Sequence, residues 1–328
     1  MSLDADFIVD RRRMRRKLTF WRVFAVLFAI CAVVAGGVAV GGSSSGVLAG
    51  TTGASIARVT ITGLITTNRQ RVEALERLAK SPAKAVIVHI NSPGGTTSGS
   101  EELHDSLMRL KDEKPTVVVV DGLAASGGYI AALGADYIVA GETSLVGSIG
   151  VIFQFPNFGD ALKSLGIRME EVKSSPLKAA PNGFEPTSPE ARAAIEAIVM
   201  DSYAWFRNLV KTRRGLDDAA LDRVADGRVF TGRQGVGLKL VDELGDERTA
   251  VAWLAKEKNI DPKTPVRDYR LRDRFSDLPF LHNAAVVTLE ALGLGSFARR
   301  IEESGAVQAI ERLNLDGLLA LWHPQAAN

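Results

Sequence analysis

The sequence predicts an α/β domain with a largely parallel, covered sheet, joined to an apolar N-terminal segment. Three observations point there. Short apolar runs, AVIVHI at 85–90 and TVVVV at 116–120, alternate with stretches of helical periodicity, the order that parallel sheets require. Those runs are apolar at nearly every position, as in strands covered on both faces. Glycine-rich turns follow strand-like runs at 91–95, 125–128 and 147–150, where sites in such sheets gather.

Residues 11–22 hold seven basic side chains and no acidic one, and 23–50 hold no charge at all. About 20 apolar residues span a bilayer as a helix. Residues 23–42 therefore read as a transmembrane signal anchor, with the basic segment 1–22 in the cytoplasm and the rest of the chain outside. Two competing readings are a signal peptide cut near Val47-Leu48-Ala49 and a buried core helix. The length of the apolar run and its basic flank favour the anchor. Residues 43–56, rich in Gly, Ser and Thr, form a linker.

A domain over 57–265 follows. Ala57–Ile61 alternates apolar and polar residues and reads as a strand. Asn68–Lys80 is helical, Ala85–Ile90 a buried strand, and Thr97–Leu110 a helix with Leu103, Leu107 and Leu110 on one stripe. Thr116–Val120 is a strand, Ser126–Gly134 a short helix and Tyr137–Ala140 a further strand. A long helix over 188–214 opens with Ser188-Pro189, a cap followed by proline at the first helical position. Pro262 and Pro265 mark the expected end of the domain. The amphipathic remainder, 266–328, is assigned to packing or assembly.

The 328 residues carry a formal net charge of only +2, which does not point to nucleic acid. The single cysteine, Cys31, allows no intrachain disulfide and no cysteine metal site. There is no P-loop and no cluster of metal-ligand residues, so no cofactor or metal is expected.

Within DGLAASGGYI (121–130), Ser126 stands between small residues at the end of a strand. A serine hydroxyl becomes a useful nucleophile only beside a base. The bland alternative is a helix N-cap. His89 lies in a strand, His104 on an otherwise polar helix face, and His282 and His323 in the tail. No histidine falls between 105 and 281, although separation in sequence leaves His89 and His104 open. Lysine is the other choice, once burial lowers its pKa from about 10.4. Lys178 sits in a carboxylate-poor stretch, Lys173 follows two glutamates, and Lys163 lies in a polar helical turn. Gly94 and Gly95 suit an oxyanion-binding turn.

In VHINSPGG (88–95), DGLAASGGYIAALGAD (121–136), GSIGV (147–151), VKSSPLKAAPNGFEPTSPEAR (172–192) and GRVFTGRQGVGLKLVDELG (227–245), the chain resembles the signal peptide peptidase A family. These are membrane-anchored serine proteases with a Ser/Lys dyad. The resemblance implies a Clp/crotonase-like ββα superhelix behind the anchor. It implies Ser126 as nucleophile, Lys178 as general base and Ser148 as the serine that orients the lysine. Gly95 would donate to the oxyanion, together with the backbone N–H of Gly127. It further implies a homo-oligomer, with octamers known among short members, in which serine and lysine can come from neighbouring subunits. The substrates implied are remnant signal peptides at the bacterial cytoplasmic membrane, with the catalytic domain on the periplasmic side. Ser175-Pro176 and Gln234-Gly235 depart from the family pattern. Three alternatives remain: a related Ser/Lys protease acting on one membrane protein, a crotonase-like acyl-CoA enzyme that would survive loss of Ser126, and an inactive ring scaffold.

Overall fold

A computed structural model describes residues 54–271 and the backbone of 318–321. The expected transmembrane segment 23–42 and most of the tail lie outside the described residues. Among the described residues no helix is long and apolar enough to cross a membrane.

The central sheet is assembled from β1 (Ile56–Thr62), β2 (Ala85–Ser92), β4 (Thr116–Ala125), β5 (Tyr137–Ala140), β6 (Leu145–Gly147), β8 (Val229–Thr231), β9 (Glu243–Leu244) and β10 (Val266–Asp268). Its main path runs β10-β1-β2-β4-β5-β9, and every pairing on it is parallel. β4 is long enough to hold two partners in succession. Val117–Val120 pair with β5, and Leu123–Ala125 pair with β6. β8 joins β6 antiparallel, which makes the sheet mixed.

Alternation along β2 divides the core. Val86, Val88 and Ile90 enter one apolar cluster, whereas Ala85 and Ile87 enter the other. The first cluster is closed by α1 (Arg69–Ala79), α2 (Thr97–Glu113), α3 (Gly127–Ala132) and the C-terminal half of α5 (Pro189–Arg214). These supply Leu75 and Leu78, Leu103 and Leu107, Ile130, and Phe206 and Val210 respectively. The second face is covered by Ala250 and Leu254 of α8 (Glu247–Lys258). A sheet buried on both faces is the reason AVIVHI and TVVVV are apolar throughout.

Helix ends follow from capping chemistry. Asn68 accepts the Arg71 N–H at 3.0 Å, Ser188 the Ala191 N–H at 3.1 Å, and Gly215 closes α5 in the left-handed region at φ 59°. Gln234 belongs to a capping box on α7 (Gly232–Gly237), where its Oε1 accepts the Thr231 N–H at 3.0 Å. A Cβ at Gly235 would stand 3.0 Å from Val241 and 3.1 Å from Val146. The Gln234-Gly235 departure thus fits this chain's own packing.

Two expectations change. The sheet runs past residue 265, because β10 pairs with β1 and Tyr269 and Leu271 pack on the core. His104 is buried at 6 % exposure, not on a polar face, because α2 is covered by neighbours on a broad face that includes Gly99, Ser100, Leu103 and Leu107.

Candidate active site

Ser126 ends β4 and starts α3 at φ 53°, ψ −117°. A non-glycine residue there is strained, and such strain persists only where the surroundings enforce it. The enforcement is visible. The Ser126 N–H donates to Gly147 C=O at 2.7 Å, and its own C=O accepts from Tyr129 and Ile130 N–H at 2.9 and 3.0 Å. Gly128 has no room for a side chain, since a Cβ would meet Ser92 O at 2.7 Å. Tyr129 anchors the helix from below through its hydroxyl, which donates to Leu240 C=O at 2.8 Å, and burial pushes that phenol's pKa up.

The Ser126 hydroxyl caps nothing. Its Oγ is buried and, among the described residues, has no hydrogen-bond partner. An orphaned buried hydroxyl costs about 1–3 kcal/mol. This disposes of the N-cap alternative and of either histidine as its partner in this chain. His89 is turned to the α8 face, where its Nδ1 lies 2.8 Å from Asp121 Oδ1 and its Nε2 2.9 Å from Glu247 Oε2. Arg58 completes that network with two 2.6 Å bonds to Glu247. His104 Nδ1 is 3.0 Å from Asp105, its Nε2 has no partner among the described residues, and burial lowers its pKa.

The PGG turn is tightly fixed. The Ser92 hydroxyl donates to Gly63 C=O at 2.7 Å and accepts the Gly94 N–H at 3.1 Å. β3 (Gly94–Thr96) then leans on Ile65. Ile65 N–H donates to Gly94 C=O, and Thr96 N–H to Ile65 C=O, each at 2.9 Å. A Cβ at Gly95 would stand 1.8 Å from Ile65 O, so only glycine fits. Strand alternation turns the N–H and C=O of Gly95 to the opposite edge. Sequence reading missed Ser92 and Ile65. A serine two residues before a glycine pair was the available signal.

Ser148 lies beside the Ser126 turn. Its neighbour Gly147 pairs with Ala125, and Ser148 is itself at φ 53°, held by its N–H to Arg228 C=O at 2.8 Å. Ser126, Gly127 and Ser148 are brought together. Lys178 is not joined to them. It is exposed in a turn where its N–H donates to Ser175 C=O at 3.1 Å. Lys173 is paired with Glu171 and Glu185, and those bonds raise its pKa, Glu171 first. Lys163 is exposed, 3.3 Å from Asp160. Among the described residues no group of three or more His, Cys, Asp or Glu could hold a metal.

A Clp protease family model matches residues 57–141, and the fold is a Clp-protease-like α/β fold with a mixed sheet. Serine-type protease is the class that the following family model and relatives support. The model of peptidase family S49 matches residues 108–261, which include Ser126, Ser148 and Lys178. A protein described as a protease from Synechocystis is 34 % identical over 209 residues, covering 63 % of this chain and 76 % of the relative. A protein described as signal peptide peptidase SppA from Enterococcus faecium is 35 % identical over 184 residues, 56 % of this chain and 54 % of the relative. This chain thus spans about half of the latter's length. A solved ClpP1 chain from Listeria monocytogenes is 16 % identical with a TM-score of 0.41, covering 58 % of this chain and 92 % of that one. The chain belongs to peptidase family S49.

Proposed function

We propose that the chain is a membrane-anchored serine endopeptidase in which Ser126 is the nucleophile and Lys178 of a neighbouring copy is the general base. The observation that carries this reading is the orphaned Ser126 Oγ on an enforced, strained turn. Such a hydroxyl suits a partner that the described residues of one chain do not provide. Lys178 is the candidate partner, because it lies exposed in a segment whose apolar side chains are also uncovered. Phe158, Leu165, Ile167, Met169, Val172 and Leu177 all face solvent, and exposed apolar clusters of this kind mark interfaces.

In the proposed reaction Ser126 Oγ attacks a peptide carbonyl while neutral Lys178 takes its proton. Gly95 and Gly127 N–H groups hold the oxyanion, and Ser148 orients the lysine amine. The amine leaves with a proton from Lys178, and water activated by the same lysine hydrolyses the acyl-enzyme. No step needs a cofactor or metal. Residues 23–42 would place the site at the outer face of the cytoplasmic membrane, where remnant signal peptides are the proposed substrates.

Peptide cleavage by wild type, Ser126→Ala and Lys178→Ala tests the dyad. Both variants are expected to be inactive while keeping the wild-type fold and assembly. A Lys178→Ala chain near full rate would remove lysine from the mechanism. Cleavage that survives in Ser126→Ala would favour the crotonase-like alternative.

A further inference from the structure

Residues 63–68 (GLITTN) connect β1 to α1 and cross the Gly94-Gly95 turn. Ile65 runs parallel to Gly95 there as a single bridge. Its N–H and C=O are bonded to Gly94 and Thr96 on either side, which leaves the Gly95 N–H on the opposite edge. The position of this strap therefore sets the aim of that N–H. Side-chain packing contributes little to fixing the strap, since of residues 63–68 only Ile65 is buried.

Polar groups tie both of its ends. At the first, Gly63 accepts the Ser92 hydroxyl on its C=O, and its N–H donates to Asn91 C=O at 3.1 Å. At the second, Arg71 of α1 donates through Nη2 to Thr66 C=O at 2.7 Å. Glu102 of α2 accepts the Asn68 N–H on Oε1 at 2.8 Å, and Arg71 Nη2 lies 3.6 Å from that same oxygen. Gly99 lets α2 come this close, because a Cβ there would stand 2.4 Å from Thr66 C and 2.6 Å from Thr67 N. Arg71 is a costly residue for a tie. Its side chain is 12 % exposed, and its Nε is buried with no partner among the described residues. Burial lowers its pKa, against the pull of Glu102, and a buried guanidinium short of a partner is disfavoured. What it provides is a planar donor that meets a carbonyl of the strap and a carboxylate of α2 at once.

We infer that Arg71 and Glu102 are positioning residues for the oxyanion donor: they hold residues 63–68 and, through Ile65, fix the Gly95 N–H. Their effect on catalysis rests on the proposed function above, in which Gly95 donates to the oxyanion. Their hold on the turn stands apart from it.

The test uses the full chain in detergent. Arg71→Met removes the donor and keeps the apolar stem, and Glu102→Ala removes the second tie. Arg69→Met is the control, since Arg69 is 91 % exposed on the same helix and pairs with Glu73. Hydrogen exchange at the Thr96 amide, bonded to Ile65 C=O, is expected to rise at least about tenfold in both variants and to stay unchanged in the control. Exchange at Val118, buried in the sheet, is expected to stay unchanged throughout, which separates a loosened strap from a loosened fold. In peptide cleavage both variants are expected to lower kcat at least about tenfold with KM within about twofold of wild type, because loss of one oxyanion donor costs about 10²–10³ in kcat and a misplaced one less. Inhibition by a peptide aldehyde, whose hemiacetal oxygen needs the same donor, should weaken in step with kcat. If Arg71→Met does not fold, Glu102→Ala, at a side chain 30 % exposed, carries the same readouts. Unchanged Thr96 exchange in either folded variant overturns the inference whatever the activity does. Raised exchange with kcat and aldehyde inhibition unchanged overturns it too. A wild type that cleaves no peptide counts against the proposed function only, and exchange at Thr96 still decides whether the two residues hold the turn.

Discussion

The turn at Ser126 and the turn at Lys178 belong to one family motif set but are built in opposite ways. Ser126 is 1 % exposed and is held by backbone bonds from β6 and α3, and nearby Gly128 admits no side chain. The segment around Lys178 is exposed, and Val172 and Leu177 project from it unpacked. The difference teaches where the chain is self-sufficient. Ser126, its strained backbone and the Gly94-Gly95 turn are finished within one copy, because they hang on a sheet with a two-sided core. The Lys178 segment has no such support, and on the proposed reading a surface of another copy supplies it.

The largest expected effect breaks the finished side. Ser126→Ala should lower kcat by at least about 10⁴-fold, with a melting temperature no lower than wild type, because the hydroxyl bonds nothing that folding needs. Gly95→Ala should remove activity and stability together. Its Cβ cannot coexist with Ile65 O at 1.8 Å, and displacing β3 should cost about 3 kcal/mol or more, read by denaturant unfolding. On the other side, Val172→Lys should leave the unfolding free energy of the monomer within about 0.5 kcal/mol and shift sedimentation toward monomer.

The smallest effect concerns the far face of the sheet. The Arg58 guanidinium holds the Glu247 carboxyl below its ordinary range, against the opposing push of burial and with a lesser contribution from His89. A depressed carboxyl contributes stability that is present above the unfolded-state pKa and is lost as pH falls through the folded one. Glu247→Gln should therefore cost about 1–2 kcal/mol at neutral pH. It should also flatten the acid limb of a stability-against-pH curve. An unchanged acid limb would mean that the network does not support the docking of α8.

Much of the finished side was legible. AVIVHI and TVVVV announced covered strands, Tyr137–Ala140 matched an element end to end, and Ser188-Pro189 marked the start of α5. The reasons are local: periodicity, capping and turn chemistry. What escaped was set by distant partners. β4 continues past its expected end at Val120 to Ala125, because β6 takes over as its neighbour. β10 pairs with a strand some 210 residues earlier, and no local pattern in Val266–Asp268 announces it. The roles of Ser126, Lys178 and Ser148 came from family motifs. Composition left histidine and lysine both open, and the structure turned His89 and His104 to other partners.

The most direct test of a site shared between copies is complementation. Ser126→Ala and Lys178→Ala chains, each inactive alone, are co-assembled and assayed for peptide cleavage, with mixed assembly verified by native mass spectrometry. If Lys178 serves the neighbour's Ser126, random mixing restores roughly a quarter of wild-type sites. Verified mixed assemblies with no recovered cleavage would contradict the account and return the base to the chain that carries the serine.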